Sequence, residues 1–188
     1  MITARVKKNQ DNRISQCDIF KDIEIIEEID FNKKDEINVH KIHFPLVIVL
    51  NQDCDLCRCY ENRNSDNNRN KNNGLIHIIV APVFILDSFI EGMHWGKIFD
   101  NAEPIKRSKT PFKYLTDNQD DRFHCLSFAS EDHLPDMVID FKHFFTLSAN
   151  TMYSMLEKGN RLCSIDDLFK EKISQRFANY ISRIGLPS

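Results

Sequence analysis

Phe44-Pro-Leu-Val-Ile-Val-Leu50 runs directly into Asn51-Gln-Asp-Cys-Asp-Leu-Cys-Arg-Cys59. An apolar run of this length predicts a strand buried on both faces, with Pro45 near its beginning, where a missing amide is tolerated. Gln52, Asp53, Cys54 and Asp55 then fall at the strand exit, where a scaffold commonly presents chemistry. That exit is the first candidate site.

Working outward, Ser15 to Ile26 alternates in a strand-like way, with Gln16-Cys-Asp-Ile-Phe20 as its entry and Ile19, Ile23 and Ile25 on one parity. Glu27 to Asn38 reads as a charged connecting loop, and Val39 to Leu50 as the second strand. Tyr60 to Gly74 is dominated by Asn with Arg and Asp and has little to bury, so a mobile loop is expected there. Leu75-Ile-His-Ile-Ile-Val-Ala-Pro82 is a third strand. Val83 to Gly92 fits a short helix ended by Gly92 or an extension of that strand. Phe112 to Leu115, Phe123 to Phe128 and Met137 to Leu147 supply further strands, the last with Asp140 and Lys142 paired on its solvent face.

The carboxyl end changes period. Thr151 to Lys158 reads as a helix closed by Gly159, and Ser164 with Asp167 resembles a capping signal. Ile165, Leu168, Phe169, Ile173, Phe177, Ile181 and Ile184 then recur at steps of three and four, an amphipathic stripe suited to covering the sheet, before Gly185-Leu-Pro187 stops it. The expected organisation is one domain over residues 1–188, with a flexible arm at 1–14, an Asn-rich mobile loop at 60–74 and a helical part at 150–185. Its class is mainly β with C-terminal helices.

Composition narrows the function classes. With 188 residues, 41% of them hydrophobic and 28% charged, the chain matches an ordinary globular domain with a real core. No apolar run is long enough to span a bilayer, and the early cations Arg5, Lys7 and Lys8 are followed by no apolar segment, so neither a membrane nor a secretory signal is expected and the location read is cytoplasmic. A net charge of −3 argues against a general nucleic-acid coat. A local patch remains: Lys97, Lys106, Arg107, Lys109 and Lys113, with Phe112 and Tyr114 as stacking groups, against the simpler reading of a solvated loop. Five glycines, none arranged to cradle phosphate, remove support for a nucleotide-loop enzyme.

Cys54-Asp-Leu-Cys57 resembles half of a zinc site, but Cys17, Cys125 and Cys163 stand alone, so no metal or other cofactor is expected and the six cysteines are read as reduced. Cys54 lies between Asp53 and Asp55, whose charge raises a thiol pKa and disfavours a nucleophilic thiolate. The acids themselves are the alternative, as a general base with Gln52 as orienting group; a structural reading, in which they bond turn amides, stands beside it. Catalytic candidates are therefore His43, Asp53, Cys54 and Asp55. Ligand-binding candidates are Gln52, His77, Lys106, Arg107 and Lys109, with His77 also read as an ordinary strand residue.

Gln16-Cys-Asp-Ile-Phe20, then Phe44-Pro-Leu-Val-Ile-Val-Leu50, then Ile78-Ile-Val-Ala-Pro82, with the tail Ile184-Gly-Leu-Pro187, resembles the strand framework of PemK/MazF-like toxins. The resemblance implies an SH3-like barrel, here with insertions and a terminal helix, that acts as a homodimer on single-stranded RNA or a protein partner in bacterial growth inhibition or defence. Most such toxins are metal-independent endoribonucleases of toxin–antitoxin pairs. In that family a basic residue just before the strand proline and a Ser or Thr just after Ala-Pro support attack of a ribose 2′-hydroxyl on the adjacent phosphate. Here those places hold His43 and Phe44, and Val83 and Phe84, so His43 can exchange a proton while the hydroxyl is absent. Two other readings stay open: an enzyme at the strand exit, and a non-catalytic ligand sensor or adaptor.

Overall fold

A computed structural model describes residues 2–31, 37–65, 71–96 and 102–183. Among these lie the strands β1 (Asp18–Phe31), β2 (Ile37–Val49), β3 (His77–Ile85), β4 (Phe123–Leu126), β5 (Met137–Asp140), β6 (Phe145–Ser148) and β7 (Arg161–Ser164). The helices are α1 (Asp53–Arg63), α2 (Leu86–Ile90), α3 (Thr110–Thr116), α4 (Ala149–Glu157) and α5 (Asp167–Ile181). All strand pairs are antiparallel, in the order β4-β5-β3-β2-β1-β7, with β6 beside the first half of β3. The sheet is open. The mainly antiparallel architecture with helices agrees with the sequence.

Apolar side chains fill a layer on each face, because the central strands carry no polar face to turn to water. On one face Phe20, Ile23, Phe44, Val47, Val49, Ile78 and Val80 pack against Leu56 and Cys59 of α1, Met152 and Tyr153 of α4, and Phe89 of α2. On the other, Ile19, Ile48, Ala81, Val83 and Ile139 pack against Ile173 and Phe177 of α5. Each of those two α5 side chains contributes about 2 kcal/mol by leaving water. The terminal helix covers the sheet as its stripe predicts, although Leu168 and Ile181 stay exposed. Ile184 and the Gly-Leu-Pro ending fall outside the described residues.

The β1–β2 hairpin changes faces partway along. Phe20 and Ile23 share one core layer despite opposite parity, and so do Val47 and Phe44. The reversal falls where Asp22 stands opposite Pro45, between the pairs Lys21↔Leu46 and Ile23↔Phe44. Asp22 has φ 58°, the left-handed region, which a short acid side chain tolerates better than most. Pro45 has no amide to offer its neighbour. Beyond this point the strands pair only with each other among the described residues, because β7 reaches β1 only at Asp18–Phe20 and β3 reaches β2 only at Leu46–Val49.

Several expectations are corrected. The charged stretch Glu27 to Asn38 is not wholly a connecting loop: pairing continues to Phe31↔Ile37, past a bulge between Ile26 and Glu28. The Asn-rich segment begins as helix, since α1 carries Leu56 and Cys59 inward and runs to Arg63; residues 66–70 lie outside the described set. Val83 to Ile85 extends the strand before α2 begins, and Gly92 at φ 76° ends that helix. Phe112 to Leu115 is helical, started by Pro111 in the first turn. Met137 to Leu147 is two strands separated by a short 3-10 turn. Asp140 is not on a solvent face but fully buried, and the cap of α5 is Asp166, whose carboxylate accepts from the Leu168 amide, rather than Ser164.

Candidate functional site

The strand exit is helical from its first acid. Asp53 opens α1, and its carboxylate accepts two bonds from Arg13, at 3.2 and 2.7 Å, and one from the Gln16 amide at 3.0 Å. Partial burial pushes this acid up, but the Arg13 and Gln16 bonds and the Arg13 charge outweigh it and hold Asp53 below the usual carboxylate range. Its oxygens are occupied in tying the amino-terminal segment to the helix. That is a structural role, and the acid also complements the helix dipole.

Cys54 and Asp55 are exposed on the same first turn, with Cys54 Sγ 3.7 Å from Gln52 Oε1 and 3.9 Å from Asp55 Oδ1. Cys57 donates to Glu61 Oε1 at 3.5 Å, and that bond raises its pKa above the ordinary thiol value. Cys17, Cys59, Cys125 and Cys163 are buried; burial pushes Cys17 and Cys163 up to about 12 and Cys125 to about 11. The Glu61 bond at Cys57 and burial at Cys17, Cys125 and Cys163 favour thiols over thiolates.

His77 begins β3 opposite Ser148, exposed, and its side chain makes no hydrogen bond or ion pair among the described residues. His43 stands at the middle of β2, separated from Val49 at the acid end by about 20 Å of extended chain. The sequence candidates thus divide between two places.

His43 lies on a groove of about 860 Å3 that runs beside β2. One wall is Glu27 of β1 with Lys41 to Leu46; the other is Val83 to Ile85 at the end of β3, Ser88 of α2, and Met93 to Gly96. The face reversal at Asp22 and Pro45 creates this wall: it keeps Phe44 and Ile42 against the core and turns His43 and Lys41 outward. Asp22 Oδ1 lies 3.7 Å from His43 Nε2, and Glu24, directly opposite His43, binds Lys41 Nζ at 2.9 Å. An imidazole and the Lys41 ammonium group therefore share one surface, backed by carboxylates.

The far wall is held by a buried ion cluster. Asp140 accepts Arg122 Nε at 2.9 Å and Nη2 at 2.6 Å, and its second oxygen is 3.0 Å from His143 Nδ1. Burial pushes Asp140 up, while those bonds and the Arg122 charge prevail and hold it below the carboxylate range. The His143 ring meets Trp95 edge-on with centroids 4.5 Å apart, and Trp95 and His94 each pack on Phe84 at 4.9 Å. Burial lowers His94 below its ordinary value, partly offset by Asp140, so it lines the groove as a neutral ring.

Lys106, Arg107 and Lys109 are exposed beside this wall. Arg107 pairs with Asp87, the neighbour of Ser88, and its guanidinium lies 5.5 Å over the Phe112 ring. Lys109 caps α3. Lys97 of the basic patch lies outside the described residues. The sequence reading missed Lys41, Ser88 and the His94-Trp95 pair as groove residues; the adjacent aromatic and imidazole were its one available signal. Comparison with family models, curated proteins and solved structures finds no match for this chain.

Proposed function

We propose that the protein is a divergent PemK/MazF-like module whose groove beside β2 takes single-stranded RNA, with His43 accepting the proton in metal-independent cleavage. The supporting observation is that the two landmarks of the resemblance, His43 to Pro45 and Val83 to Phe84, come from different strands and line one groove. In this reading the ribose 2′-hydroxyl gives its proton to His43 as it attacks the adjacent phosphate, and Lys41 offsets the charge that develops there. Ser88 supplies a hydroxyl on the opposite wall, in place of the one that Val83 and Phe84 lack. The half-buried His94, backed by the buried Trp95, offers a ring for an unstacked base, and Lys106, Arg107 and Lys109 extend the positive flank. The open sheet is read as an opened relative of the SH3-like barrel, and the family's homodimer remains part of the proposal.

The same edge supports a second reading. Ile37 to Pro45 of β2 has no strand on its β3 side among the described residues, and Ile26, Ile29, Ile37 and Val39 are exposed on the hairpin. A protein partner could add a strand there. Trp95 is the one tryptophan of the chain, so its fluorescence reports the groove. Titration with single-stranded RNA in chelator should change that emission, and Lys41→Ala should weaken the effect. An emission insensitive to RNA would remove the RNA reading and leave the protein partner.

A further inference from the structure

A second recess, of about 760 Å3, opens between α1 and α4 and shares no lining residue with the groove. It is lined by Arg63, whose guanidinium lies 4.3 Å from the centroid of the Tyr153 ring and donates from Nη1 to Asn150 Oδ1 at 2.7 Å. These two contacts fix the plane of the guanidinium. No carboxylate pairs with it among the described residues, although Glu157 lines the same recess.

The amides around Arg63 are oriented by their own partners. Asn150 spends its oxygen on Arg63, which leaves its NH2 as donor; Asn64 spends its NH2 on the Tyr60 carbonyl at 2.9 Å, which leaves its oxygen as acceptor. Asn62 Oδ1 and the Tyr153 hydroxyl are buried with no hydrogen-bond partner. Burial pushes the Tyr153 phenol up to about 12, so it keeps its proton. Donors and acceptors therefore ring a flat cation.

Three ligand chemistries can be weighed against this set. A sugar would stack its C–H face on an aromatic ring, but Arg63 covers the Tyr153 ring. A polyanion is opposed by Glu157, and of the two arginines that line the recess Arg161 is already committed to Asp18 and to the Arg13 and Asp11 carbonyls. A planar heterocycle that carries adjacent donors and acceptors meets both the guanidinium plane and the amides.

We propose that this recess binds a nucleobase, stacked on Arg63 and read along its edge by the amides of Asn64, Asn150 and Asn62. The base belongs to a free nucleotide or to an unpaired position of a strand, and neither case requires the groove to cleave RNA.

Calorimetric titration of the full chain with AMP, GMP, CMP, UMP and ribose 5-phosphate tests this. At least one nucleotide should bind, ribose 5-phosphate should not, and Arg63→Ala and Asn150→Ala, both at exposed positions, should each weaken binding by about tenfold. His43→Ala should bind as the parent does, which separates this site from the groove. A trinucleotide that binds more tightly than its mononucleotides assigns the base to a strand; equal affinity assigns it to a free nucleotide. Absence of nucleotide binding, equal binding of ribose 5-phosphate, or affinity unchanged in both variants would overturn the proposal.

Discussion

Asp22 stands opposite Pro45 in the β1–β2 hairpin, and both strands exchange faces at that level. A regular hairpin would have kept the parity of Val47 for His43 and buried the imidazole in the core. The reversal instead leaves His43 outside, with Asp22 Oδ1 3.7 Å from its ring. One irregularity thus both builds the groove wall and supplies its acid–imidazole contact.

The left-handed backbone at Asp22 gives a direct test. Asp22→Val should cost about 1–2 kcal/mol, because a β-branched side chain is strained at φ 58°, whereas Asp22→Gly should hold stability near that of the parent. Urea denaturation measures both. Equal stability of the valine and glycine variants would contradict the assigned conformation.

Asp140 is buried and holds Arg122 and His143 together. Asp140→Ala leaves the half-buried Arg122 without its partner, and a loss of about 3 kcal/mol is expected, with a change in Trp95 emission as His143 loses its anchor. Because Asp140 titrates below its unfolded value, its contribution is present above the ordinary carboxylate range and is lost as pH falls through its depressed pKa. The variant should therefore lack part of the parent's loss of stability below about pH 4.

His124 works over a different window. It is buried in β4, and burial, with Arg176 and Lys172 nearby, lowers it from an ordinary value of 6.5 to about 3. The unfolded chain takes up a proton near pH 6.5 and the folded chain does not, so this group removes stability as pH falls, by about 1.4 kcal/mol per unit down to about pH 3. His124→Leu should flatten the stability profile between about pH 6 and 4, measured by denaturation at several pH values. An unchanged slope would mean that His124 accepts a proton in the folded state.

The two acids of the strand exit should separate cleanly. Asp53→Ala releases Arg13 and the Gln16 amide and should cost about 1–2 kcal/mol, while Asp55→Ala, exposed on the same turn, should change stability by less than about 0.5 kcal/mol. Thermal melts distinguish them. Neither substitution should alter RNA cleavage.

The strands around Val47, Val80 and Ile139 were legible because buried runs and β-branched residues leave few alternatives, and α5 was legible from its 3.6-residue period. Phe112 to Leu115 was not, since four residues carry no period and Pro111 suits a helix start as well as a strand boundary. The extent of the hairpin was hidden by charge: Glu27 and Glu28 stay exposed on β1 where it still pairs with β2, and a polar stretch looks the same in a loop. Asp140 was misread because alternation predicts its face only when one side of the strand is wet, and β5 is buried on both. The division of the site follows from the same limit. His43 and Asp53 are close in sequence, but an extended strand separates them, and only tertiary pairing brings Val83 and Trp95 to His43.

The most direct measurement of the central claim is the end chemistry of single-stranded RNA incubated with the full chain in chelator. The account predicts fragments with 2′,3′-cyclic phosphate ends, lost by at least about a hundredfold in rate in His43→Ala, the scale of one general base. Intact RNA, or cleavage that His43→Ala leaves unchanged, would contradict it.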